Sequence, residues 1–294
     1  MKQKLTASRV VFLVIAVLIL LVIAAVCLMP IWHVIMVSVS NPTAVTSHKG
    51  LVLWRLRNFD FQAYKIIFQY KSLWNGYLNT LFYIVLSCVI TGFLTVIAGF
   101  VFSRRRFRYR NAFMLIISFT MLFNGGMIPT YMVIRKLGMI DTIWAMVLPG
   151  ALNVFNIILM RTSMQGIADA LEEAARLDGA NEFVTMFKVI LPLCKATFAV
   201  IILFTVVGKW NDFMSALLYL PTKTQLYPLQ MEIRTILFQS TKQISSSADA
   251  ASMNVYSRNI QYAVIVVSTL PILMVYPFVQ KYFVTGMTVG AVKA

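Results

Sequence analysis

Apolar residues in this chain fall in long, unbroken windows rather than on alternating faces. No Asp, Glu, Lys or Arg occurs between Arg9 and Lys49, Lys71 and Arg104, Arg110 and Arg135, Asp141 and Arg161, or Arg258 and Lys281. Each window can hold the roughly 20 apolar residues that a helix needs to cross a bilayer. A sixth stretch, up to Leu220, is apolar apart from Lys209 and Asp212. The pattern predicts an all-α polytopic membrane protein with six transmembrane helices, at roughly 10–36, 74–102, 112–134, 142–161, 196–220 and 259–282. Outer loops are expected at about 37–73 and 221–257, and an inner loop at about 162–193. The run from Val10 to Met29 exceeds the usual ~7–15 residue core of a signal peptide, so the first helix reads as a retained span. No internal repeat or linker divides the chain, and residues 1–294 read as a single transmembrane domain.

Composition agrees with the pattern: 60% of the 294 residues are hydrophobic and 12% are charged, against about a quarter charged in a soluble domain. The net charge of +16 does not indicate nucleic-acid binding, because the basic residues gather at span ends, where anionic headgroups and the positive-inside rule account for them. The densest group, Arg104, Arg105, Arg106, Arg108 and Arg110, is expected in the cytoplasm, which places both termini there. Cys27, Cys88 and Cys194 have no metal-ligand or disulfide spacing and read as small packing residues. Pro129, Pro149, Pro271 and Pro277 fall in or near spans and are expected to kink them.

Five of the ten acidic residues lie between Asp169 and Glu182, in the loop between the fourth and fifth spans. Asp169 followed by Glu172 suggests a capping box with Asp at the cap. Leu171, Ala174, Ala175 and Asp178 share a helical face that is small enough for another surface to approach closely. Gly179 suits the left-handed position that ends a helix. Asn181 can cap a second helix whose apolar face is Phe183, Met186, Phe187 and Ile190, and Pro192 is expected to stop it. An interfacial connector without a partner and a docking helix both fit; the small face beside Glu172 and Glu173 favours docking.

These residues resemble a known family. Glu173-Ala174-Ala175, Gly179 and Val189-x-Leu191-Pro192 are similar to the EAA loop of ABC importer permeases, with Val189 in place of the usual Ile. The likeness extends over the chain and is strongest to the smaller permease of maltose-type carbohydrate importers, which have the type I ABC importer permease fold. Trp210-Asn211-Asp212-Phe213 and the ending from Tyr282 to Lys293 are similar to that sugar branch. Asn124 to Tyr131 resembles a sub-branch that handles oligo- and polysaccharide fragments. The resemblance implies a bacterial inner (cytoplasmic) membrane protein partnered by a second homologous permease, two cytoplasmic ATPase subunits and an extracytoplasmic solute-binding protein. It implies coupling to the ATPase through Glu172, Glu173, Ala174, Ala175, Asp178 and Gly179. It also implies a tail contact to the ATPase through Gly286, Thr288, Gly290 and Lys293; a purely structural tail remains open.

Lys209 and Asp212 are three residues apart and share a helix face. They form either an internal pair that steadies the helix or part of a wet path. Trp210, Asn211, Asp212, Asn153, Asn156 and Asn79 are candidates for lining a sugar path, by stacking and by hydrogen bonding to hydroxyls; each Asn alone is also a plausible helix–helix hydrogen bond. No G-x-x-x-x-G-K-[ST], H-E-x-x-H or G-x-S-x-G occurs. The chain is therefore expected to be a transport subunit, not an enzyme, without a metal or bound cofactor of its own, ATP and Mg being held by the partner ATPase subunits. A permease for another solute is the nearest alternative. An ion-coupled secondary transporter predicts more buried carboxylates and internal repeats.

Overall fold

The computed structural model describes residues 7–123, 125–242 and 256–274. The described residues are mostly helical, and their one β feature is an isolated antiparallel bridge between Ser40 and Phe59. Among the described residues, two helices are long and apolar enough to cross a membrane by themselves: Ala7–Ser38 and Lys71–Ser103. Two further pairs pass only when each is taken together: Arg110–Leu122 with Met127–Lys136, and Glu182–Leu193 with Lys195–Trp210, the second bent by 87°. Among the described residues the expected uniform helices thus appear as two continuous apolar helices and several shorter or broken ones. The fourth expected span is split into Ile143–Val147 and Val154–Gln165, with Pro149 in the break. The fifth is split into Lys195–Trp210 and Met214–Tyr219. Of the sixth, residues 256–274 are helical and 275–282 lie outside the described residues.

The chain divides into two compact units. One comprises residues 1–71 and 233–270. Its first helix carries Pro30 inside it and leaves Val10 to Met29 largely exposed, as a lipid-facing helix does. Beyond it, the short helices Pro42–Ser47 and Gln62–Gln69 structure the segment expected as the first outer loop. Asn259, buried on the helix at 256–274, fastens that loop: its Nδ2 donates to the carbonyls of Val37 (3.0 Å) and Ser40 (2.8 Å). His33 Nδ1 accepts from the Val52 amide at 2.9 Å. That bond accounts for a histidine with no metal or catalytic neighbours.

The other unit, residues 72–232 and 271–294, is organised on the Lys71–Ser103 helix. Its buried face is built of small residues: Gly76, Thr80, Ser87, Thr91, Gly92, Thr95, Gly99 and Ser103. Small side chains let backbones approach closely where lipid gives no hydrophobic drive between helices. At Gly99 a Cβ would stand 2.6 Å from Met160 Cγ, so any larger residue forces the Met160 side chain to shift. Towards the Ser103 end, Val96, Phe100, Met160, Met164, Met186, Ile190, Cys194 and Ile201 form one core. Cys194 has the expected packing role there, whereas Cys27 is exposed. Towards the other end, Tyr83, Met146, Val147, Ala216, Leu220 and Met231 form a second core.

Candidate functional site

The acidic loop folds as a short helix, Asp169–Leu177, and a turn, followed by a wider helical segment. The first helix is not capped by Asp169. Ala168 occupies the cap with extended backbone, and no side chain bonds the free amides. Asp169 sits in the first turn, where a carboxylate complements the helix dipole, and lies 3.7 Å from Arg105. The end of the helix follows the sequence closely. Gly179 has φ +81°, and the amides of Ala180 and Gly179 bond the carbonyls of Ala175 (2.9 Å) and Arg176 (3.0 Å). This double closure needs a left-handed residue at Gly179. Asn181 then caps the next helix, its Oδ1 accepting from Val184 N at 2.8 Å.

Beyond Asn181 the backbone widens into a π-helix over Thr185–Ile190, displacing the expected i, i+3, i+4 face. Met186 and Ile190 are buried as expected, but Thr185 joins them and Phe183 is exposed. Pro192 does not end the segment; it lies in the first turn of Leu191–Leu193, and the break comes at Cys194. A proline lacks an N–H and its ring crowds the carbonyl four residues back. A widened turn before Pro192 relieves that crowding.

The two adjacent glutamates part company. Glu172 is turned inward, with its side chain 11% exposed, and is paired with Arg104 and with Arg176 (2.7 Å). Arg104, 12% exposed, also bonds Ser103 Oγ at 3.0 Å and lies over the Phe100 ring. Arg176 reaches on to Glu182 at 2.8 Å, and Arg106 approaches the same carboxylate at 3.8 Å. The arginine run therefore meets the acidic loop in a chain of alternating charges. Glu173 is exposed, as are Ala174, Asp178 and Leu177, the last 89% exposed. Ala175 is buried. The expected small face is thus divided, with Ala175 packing inward while Ala174 is presented outward beside Glu173 and Leu177. The inward partner, Arg104, was read from the sequence only as a topology signal.

The sugar-path candidates separate as well. Asn153, Asn156, Lys209 and Asp212 line one cavity of about 390 Å³ together with Thr91, Phe155, Phe204 and Thr205. Lys209 and Asp212 are each 17% exposed and 3.7 Å apart, and Lys209 Nζ also donates to the Met146 carbonyl. Asp212 bonds the Ser215 amide at 3.0 Å, so it serves the start of the next helix too. Asn153 caps Val154–Gln165 through Phe155 N (2.9 Å). Asn156 is buried. Trp210 is buried against Tyr77, with ring centroids 6.2 Å apart. Asn211 bonds back to the Val207 carbonyl, and Asn79 anchors the carbonyls of Gln225 and Tyr227. Those three stand apart from the cavity lining. In the same region Glu232 is buried against Gly76; burial pushes its carboxyl above the ordinary glutamate range, against the opposing effect of a hydrogen bond with Ser72. The tail candidates Gly286, Thr288, Gly290 and Lys293 lie outside the described residues. Among the described residues no group of His, Cys, Asp and Glu is arranged to hold a metal ion.

Three comparisons place this arrangement. The chain is similar, at 38% identity over 93% of its length and 95% of the relative's, to the polygalacturonan/rhamnogalacturonan transport system permease protein YtcP of Bacillus subtilis. It is 24% identical, over 92% of its length and 93% of the relative's, to the arabinooligosaccharides transport system permease protein AraQ of Halalkalibacterium halodurans. A chain in the crystal structure of a bacterial ABC transporter involved in the import of the acidic polysaccharide alginate superposes with a TM-score of 0.86 at 34% identity, covering 96% of this chain and 100% of that one. Residues 92–289 match the model of the binding-protein-dependent transport system inner membrane component. That stretch contains both the loop whose sequence resembles the EAA motif and the broken helices around the cavity, and the chain belongs to this family of inner membrane permease components.

Proposed function

We propose that this chain is the smaller permease subunit of an ATP-driven carbohydrate importer, and that its Asp169–Leu177 helix is the piece that docks into a cytoplasmic ATPase. The observation that carries the coupling role is the opposite orientation of Glu172 and Glu173. A helix held to its own chain on one side by Arg104–Glu172–Arg176, and presenting Glu173, Ala174 and Leu177 on the other, is built to transmit force rather than to float at a surface. In this reading Glu173 pairs with a basic group of the ATPase. Ala174 allows close approach, Asp178 and Gly179 fix the exit, and Glu172 and Ala175 hold the helix to its own chain.

The full assembly we infer has a second homologous permease, two ATPase subunits carrying ATP and Mg, and an extracytoplasmic solute-binding protein. The remaining spans are completed by the broken helices, to six in a single transmembrane domain over residues 1–294 in lipid, with both termini cytoplasmic. The tail at Gly286, Thr288, Gly290 and Lys293 is assigned to the ATPase contact. Closure of the ATPases draws the coupling helices together and switches the path from inward- to outward-facing.

The saccharide class is supported by the relatives, whose names specify polygalacturonan/rhamnogalacturonan, arabinooligosaccharides and alginate. The cavity of amides, hydroxyls and phenylalanines with Asn153, Asn156 and Asp212 has the chemistry to pass such molecules. Trp210, Asn211 and Asn79 lie outside that lining. The test is uptake by the complex reconstituted in proteoliposomes with its binding protein. Radiolabelled plant-polysaccharide fragments should accumulate only with ATP inside the cytoplasmic compartment; accumulation of amino acids or inorganic ions in their place would overturn the carbohydrate reading.

A further inference from the structure

A groove of about 570 Å³ opens beside the coupling segment, lined by Ile97, Phe100, Val101, Phe107, Phe183 and Met186 and edged by Arg104, Arg106, Arg176 and Glu182. Two features give it an occupant. The first is continuity with an exposed apolar strip. Leu78, Phe82, Val85, Val89 and Phe93 are all exposed and recur every three or four residues along Lys71–Ser103, and steps of four carry the row on through Ile97 to Val101 in the groove, winding around the helix as it goes. A hydrocarbon chain lying on that strip reaches the groove without leaving apolar surface.

The second feature is charge. Three guanidiniums at the groove, Arg104, Arg106 and Arg176, share two carboxylates, Glu172 and Glu182. Arg104 and Arg176 take the close contacts. Arg106 is left 80% exposed and 3.8 Å from a carboxylate that Arg176 already holds at 2.8 Å. An incompletely neutralised guanidinium at the end of an apolar strip matches a phosphate attached to acyl chains, since Arg binds phosphate in a fork of parallel hydrogen bonds and basic pockets beside membrane helices hold anionic headgroups.

We propose that this groove is a binding site for an anionic phospholipid, with an acyl chain along Val89, Phe93 and Val101 and the phosphate on Arg106. The site borders Glu182 and Arg176, so an occupied groove braces the segment that follows the coupling helix. The inference is independent of which solute is carried.

The test uses the purified, assembled transporter, equilibrated with equal amounts of phosphatidylglycerol and phosphatidylcholine in detergent and then examined by native mass spectrometry. Phosphatidylglycerol should be retained in preference. Arg106→Gln should lower its retention roughly tenfold, Arg106→Lys should keep most of it, and Arg57→Gln, an exposed arginine elsewhere, should leave it unchanged; the thermal transition of each variant shows that the fold is intact. Equal retention of both lipids by the unaltered protein would overturn the proposal, as would undiminished retention by Arg106→Gln. High-yield cross-linking of a cysteine placed at position 101 to the second permease would do so too, by assigning the groove to a protein partner.

Discussion

Replacing Glu172 by Ala tests whether the inner side of the coupling helix is held by charge. Glu172 and Arg104 are almost out of solvent, at 11% and 12% exposure. Removing one partner of a buried ion pair costs about 3–5 kcal/mol, because the other charge stays behind. Arg104 keeps the Phe100 ring and Ser103 Oγ as neighbours, and Arg176 keeps its existing pair with Glu182 and its access to water, so the lower end applies. A loss of about 3 kcal/mol is roughly a 100-fold rise in the opening equilibrium. Hydrogen–deuterium exchange across Asp169–Leu177 in the assembled complex should accelerate by about that factor, while the Val96–Met160–Ile190 core exchanges as before. The double change Arg104→Met/Glu172→Leu should recover most of the protection, since a buried pair replaced by apolar residues of similar size is often neutral or stabilising. Exchange within about threefold of the unaltered protein in Glu172→Ala would refute the clamp.

Gly179→Val should weaken ATPase co-purification more than Gly179→Asn. Nothing crowds a side chain there, and the penalty is the positive φ alone, about 1–2 kcal/mol for an L-residue and less for Asn; equal co-purification would remove the hinge from the account. Gly99→Ala should cost about 1–3 kcal/mol by overpacking, read as a lowered thermal transition, because its Cβ meets Met160; Gly208→Ala, with nothing within 4 Å, should be neutral in the same measurement. Asp212→Ala should lower the thermal stability of the complex by stranding Lys209, with Lys209→Met/Asp212→Leu restoring it; impaired uptake at unchanged stability would instead mark Asp212 as a contact for the solute.

The helical class and the turn that ends the Asp169–Leu177 helix were legible in the sequence because they are written locally. Charge-free windows report lipid, and Gly179 and Asn181 carry their backbone geometry in their own chemistry. The split of Glu172 from Glu173 was not legible, since it depends on Arg104, 68 residues away. Nor was the cap: Asp169 has the right chemistry for it, but Arg105 and the helix start at Ala168 place it one turn position later. The expected spans are not continuous helices where a polar residue or proline does a specific job. Asp212 starts a new helix, and Pro149 lies in a break that hydropathy does not register. Pro192 was read as a stop, whereas a π-helical turn ahead of it carries the chain through to Cys194. The sugar-path candidates showed the same limit. Residue type grouped six of them, and packing sorted them into cavity lining, helix cap and loop anchor.

The most direct measurement is ATP-driven uptake by the reconstituted importer carrying Glu173→Lys. Glu173 is exposed and has no ion pair among the described residues, so its replacement should leave stability within about 0.5 kcal/mol and leave membrane insertion intact. The account predicts that uptake, and ATP hydrolysis stimulated by the binding protein, nevertheless fall to background. Normal uptake by a stably assembled Glu173→Lys complex would contradict it.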